Sequence, residues 1–139
     1  MRAALRTLRV IQWAMLASIV FYAVLPEVVS LPKRIGNPSV SYMFSTLAVA
    51  IVGVIFVVRR SLVLRSAESL AAHPDDPLAL GPWRAGYIIT FALCESLALL
   101  GVILRFIGFD RQQSLPFYVG GFVLLLFFAP REPVASSTP

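Results

Sequence analysis

Residues 86–104, GYIITFALCESLALLGVIL, decide the fold. Apart from Glu95 and a few small polar residues the run is apolar. As a helix rising 1.5 Å per residue it is about 28 Å long, close to the hydrocarbon thickness of a bilayer. A carboxyl at the centre of such a helix costs about 2.5–3.5 kcal/mol even on lenient insertion scales, so it is normally neutral, paired or part of a pathway. The stretch therefore predicts a membrane span, continuing to Ile107, and marks Glu95 as its one suspect position.

Three further apolar blocks flank it. The first, residues 10–29, follows a basic start with Arg2, Arg6 and Arg9 and reads as an uncleaved signal anchor, since its apolar core is long for a signal peptide and no Ala-x-Ala pattern follows. The second, residues 40–58, ends at Arg59-Arg60. The fourth, residues 116–129, rises only about 21 Å, short of the roughly 30 Å core, so it must be extended, thin the bilayer or lie against its neighbours. Pro116 suits a first helical turn, and the short connection of residues 108–114 predicts a tight antiparallel hairpin of spans three and four. The expected architecture is all-α: one domain over residues 1–130, a polytopic four-helix transmembrane bundle. Residues 131–139 are expected to be a disordered tail.

Composition agrees. Of 139 residues 58% are hydrophobic and 14% charged, with a mean hydropathy of +0.83, where soluble domains are nearer a quarter charged. The net charge of +5 carries no basic stripe interleaved with aromatics and no nucleic-acid motif, so no nucleic-acid partner is expected. With the N-terminus inside, the inner side holds eight basic residues (Arg2, Arg6, Arg9, Arg59, Arg60, Arg65, Arg84, Arg131) and the outer side four (Lys33, Arg34, Arg105, Arg111). The excess places both termini in the cytoplasm. Trp13, Trp83, Tyr87, Tyr42 and Tyr118 fall near the two boundaries, where aromatic anchors are expected. Eleven of twelve basic residues are Arg, a bias associated with GC-rich bacteria, and the expected location is a bacterial plasma membrane.

The inner loop, residues 59–85, opens with RRSLVLRSAESLAA, which would be amphipathic as a helix. A helix on the membrane surface is the simplest account, and a partner-binding helix the sharper one. His73-Pro74-Asp75-Asp76-Pro77 is turn chemistry, with Asp75 or Asp76 available to cap the approach to the third span. It lacks the frame that would fix ligand geometry, so no metal is expected. Cys94 is alone, which excludes an internal disulfide, and reads as a small buried hydrophobe. No cofactor is expected.

On a helical wheel Phe91, Ala92, Ala98, Leu99 and Val102 share the face of Glu95. The small residues there favour packing against protein over lipid. Burial then favours the neutral acid, bonded to a hydroxyl or a backbone carbonyl. The candidate polar partners are Gln12, Ser18 and Tyr22 on the first span and Ser45 and Thr46 on the second. Arg105 stands about 15 Å along the same helix, too far to pair with Glu95, and is expected to reach outward. Over Phe91 to Leu104 the chain resembles, locally, the ion-binding helix of rotary-ATPase proteolipids. Their Gly-rich packing helix is missing, so the likeness is one of shared constraint and not of family.

Two functions are open on these residues. One is an accessory or scaffold subunit of a membrane complex, with Glu95 making a buried interhelical contact. The other is a proton- or ion-coupled carrier or channel subunit, acting as a homo-oligomer with Glu95 as its protonatable site. An enzyme is not expected: there is one histidine, no base beside Cys94 and no aspartate pair within the spans. The expected partners are the lipid bilayer and either a membrane protein or further copies of the chain.

Overall fold

A computed structural model describes residues 1–29, 31–32 and 35–134. Lys33 and Arg34, counted above in the charge balance, and residues 135–139 of the tail lie outside the described residues. The described chain is all-helical. Helix α1 spans Arg2–Val28 and α2 spans Pro38–Val58; a π-helical turn, Arg59–Leu64, leads into α3, Arg65–Ala72; α4 spans Pro77–Ile107 and α5 spans Arg111–Phe127. Three helices are long and apolar enough to cross a membrane: α1, the continuous rod from Pro38 to Ala72, and α4. At 17 residues α5 is shorter, about 25 Å.

The helix ends follow local chemistry. Asn37 and Asp76 cap α2 and α4, each side chain accepting a backbone N–H two residues on, at 3.0 Å, with proline at the first helical position. Gly108 ends α4 at φ 112°, a left-handed conformation that a side chain would strain. The Gly108 N–H bonds to Arg105 O and the Phe109 N–H to Leu104 O, a Schellman turn with Phe109 packed on Leu104.

Two boundaries differ from the sequence expectation. Helix α5 begins at Arg111, with Asp110 at its N-cap and Gln113 accepting the Asp110 N–H at 3.3 Å. Pro116 therefore lies beyond the first turn, and the break between α4 and α5 narrows to residues 108–110. Also, α2 does not stop at Arg59-Arg60; it continues through the π-helical turn to Ala72. The inward face of that continuation, Val63, Ser66 and Leu70, is buried, and the continuation packs against α4.

Helix α4 is the hub. It packs on α1, α2, α3, α5 and the π-helical turn. Half of its most apolar 18-residue window is buried, against 22% in α1 and 11% in α2, so α2 is the most exposed of the three. Against α5 the approach is close: a Cβ at Gly121 would come within 2.6 Å of Cys94 O, so only glycine lets the backbones meet there. The surface is rich in exposed apolar side chains such as Phe21, Val49, Val57, Val123 and Phe127. Such a surface is unfavourable in water and suited to hydrocarbon.

Burial also sorts the expected anchors. Trp13 and Tyr42 face outward, at 69% and 74% exposure, as interfacial side chains should. Trp83, Tyr87 and Tyr118 are buried inside the bundle, where they fill its core.

Candidate functional site around Glu95

Glu95 sits on α4 where cover by the other helices gives way to open surface. On one flank Phe91 and Ala98 are fully buried. On the other, Ala92 and Leu99 are exposed. The small-residue face thus turns partly into the bundle, at Ala98, and partly out of it, at Ala92. Glu95 itself is half-buried.

From α1, the Tyr22 hydroxyl donates to Glu95 Oε1 at 2.9 Å, joining residues 73 apart in sequence. Tyr22 is also half-buried and packs against the main core. Pro26, one turn later, lacks the N–H that would bond to the Tyr22 carbonyl, so this turn of α1 has an open backbone acceptor.

The other candidate partners go elsewhere. Gln12 is buried and its Nε2 donates to Leu125 O at 2.8 Å, tying α1 to α5. Ser18 bonds back to Ala14 O, Ser45 to Ser41 O and Thr46 to Tyr42 O. Each satisfies its hydroxyl within its own helix, the cheapest solution in an apolar surrounding. Only Tyr22 of the five is brought to Glu95. The reason is geometric: Ser and Thr reach one turn, whereas the phenol extends across the helix gap.

Two arginines are used in ways the sequence did not signal. Arg59 lies with its guanidinium carbon 4.2 Å from the centre of the Phe128 ring and 5.2 Å from that of Tyr87. Its Nη1 is buried without a hydrogen-bond partner, so the ring faces are what solvate it. Tyr87 belongs to a buried ladder on α4, Trp83, Tyr87 and Phe91, with centroids 5.0 and 5.9 Å apart. The missed signal was spacing: Arg59 is four residues after Ile55, which is fully buried, but in so uniformly apolar a helix nothing marked Ile55 as the inward face. Arg105 pairs with Glu27 of α1, Nη2 to Oε1 at 3.0 Å, and donates from Nη1 to Phe109 O at 3.0 Å. It clamps the ends of α1 and α4 instead of reaching freely outward.

Among the described residues no group of three or more His, Cys, Asp or Glu could hold a metal. The surface of the described residues carries open cavities, three of which are well formed. One, about 610 Å³, lies beside Glu27, Arg105 and Asp110. A second, about 430 Å³, is a mostly apolar groove between α2 and α5 that includes Ser45 and Phe117. A third, about 310 Å³, lies at the start of α1. None of the three is lined by Glu95 or Tyr22.

Comparison with protein-family models, with curated proteins and with solved structures finds no match for this chain.

Proposed function

We propose that the protein is a non-catalytic accessory or scaffold subunit of a membrane complex, and that Glu95 marks the face by which it docks. The observation that supports this is the half-finished environment of the carboxyl. Among the described residues Glu95 receives one side-chain hydrogen bond, from Tyr22, while Ala92 and Leu99 on its outer flank are exposed. A carboxyl left so at the middle of a span is costly in hydrocarbon, and a second helix bearing a donor would complete it. Ala92 would let that helix approach closely.

In this reading the chain is a four-span protein of a bacterial plasma membrane with both termini in the cytoplasm. Helix α5 is the short fourth span, sheltered by its packing on α4 and α1. The alternative, a proton- or ion-coupled carrier or channel subunit with Glu95 as its protonatable site, needs water at that carboxyl. The cavities beside Arg105, between α2 and α5, and at the start of α1 are lined by other residues.

The test is in-membrane cross-linking. A photo-reactive residue at position 92 or 99, in otherwise unaltered cells, is expected to give adducts heavier than the monomer, and Glu95→Leu to abolish them. Adducts of lipid alone, or adducts indifferent to Glu95→Leu, would overturn the docking assignment. Flux driven by a pH gradient in vesicles of the purified chain, lost in Glu95→Gln, would favour the carrier.

A further inference from the structure

The first turns of α1 carry a second feature, independent of Glu95. Arg2, Arg6, Arg9 and Trp13 are spaced four, three and four residues apart, so they form one stripe along the helix. All four are exposed, while Leu5, Leu8 and Gln12 on the adjoining face are buried in the bundle. The stripe lines the cavity of about 310 Å³, together with Glu132. None of the three arginines makes a salt bridge among the described residues, and Glu132 at the rim leaves a positive excess.

Spacing along the helix matches this chemistry. Trp13 lies about 6 Å below Arg9 along the helix, the spacing of an indole at the hydrocarbon boundary from a charge among the headgroups. Arg6 and Arg9, one turn apart, then stand at the level of the lipid phosphates. A guanidinium fork matches two phosphate oxygens, and the indole gives the glycerol region an amphipathic platform.

We infer that the Arg6–Arg9–Trp13 part of the α1 stripe is a binding site for the phosphodiester headgroup of an anionic phospholipid, in whichever leaflet this end of the helix meets. The stripe lies off the bundle, so a lipid can occupy it without any rearrangement of the helices.

The two tryptophans make the test direct, since Trp13 is exposed and Trp83 is 1% exposed. The full chain is reconstituted in phosphatidylcholine vesicles doped with equal fractions of either brominated phosphatidylglycerol or brominated phosphatidylcholine. Tryptophan quenching is then read. The anionic quencher is expected to be preferred, by about fivefold for each arginine engaged at low salt. Arg6→Gln with Arg9→Gln should remove the preference and leave quenching by brominated phosphatidylcholine unchanged. In the unaltered chain, added salt should weaken the preference and millimolar inorganic phosphate should leave it intact. Equal quenching by both lipids, a preference that survives the double substitution or high salt, or its abolition by inorganic phosphate at constant ionic strength would each overturn the assignment.

Discussion

At the residue scale the interhelical bond from Tyr22 to Glu95 and the Arg59 clamp make separable predictions. Tyr22→Phe removes the hydroxyl that donates to Glu95 Oε1. The expected cost is about 0.6–1.7 kcal/mol, the range of interhelical hydrogen bonds in membranes. Glu95→Gln keeps an oxygen that can accept the same bond and should cost less, while Glu95→Leu should abolish the effect of Tyr22→Phe. A double-mutant cycle read by reversible unfolding in bicelles checks this, and strict additivity would mean that the bond contributes nothing. Arg59→Lys keeps the charge but loses the planar group lying over Phe128 and Tyr87. It is expected to destabilise by about 0.5–2 kcal/mol in the same assay. Glu95 was legible in the sequence because its cost in hydrocarbon does not depend on which face it takes. Tyr22 was one of five candidate partners, and spacing alone could not choose among residues on separate helices. The contact of Arg59 with the Phe128 and Tyr87 rings was not legible.

At the scale of elements, α4 and α5 meet because their backbones can. Gly121→Ala would push a methyl to within 2.6 Å of Cys94 O, whereas at Gly120 the nearest atom is the flexible Leu97 Cδ2 at 3.4 Å. We expect Gly121→Ala to cost about 1–3 kcal/mol, the usual penalty of overpacking, and Gly120→Ala clearly less. Equal effects would argue against the close contact. The helices themselves were readable from runs of apolar residues closed by proline, aspartate and glycine. Their ends were less so. Pro116 invites a start that the Asp110–Gln113 cap pre-empts, and Arg59-Arg60 looks like a stop through which the helix runs on. In each case a local signal was outweighed, first by a better cap and then by the packing of Val63 and Leu70 on α4.

At the scale of the whole molecule, orientation is the property to check. Ser69 at the end of α3 and Gln112 at the start of α5 are exposed. Cys94 is fully buried and should not react, so each position can carry a single reporting thiol. With the termini in the cytoplasm, Gln112→Cys is expected to react with an impermeant maleimide in intact cells, and Ser69→Cys only after permeabilisation. The reverse pattern would invert the topology.

The sequence by itself determined that the chain is helical, that it is apolar enough to enter a membrane, and that Glu95 is its costliest position. These follow from composition and run length, which act through solvation and need no neighbours. Only the tertiary structure decided that Tyr22 meets Glu95, that Arg59 rests on aromatic rings and that α4 lies at the centre. Those are choices of helix face. In spans apolar on nearly every side, the faces are set by shape, by where a glycine admits a backbone and a ring fills a gap, and hydropathy does not record shape.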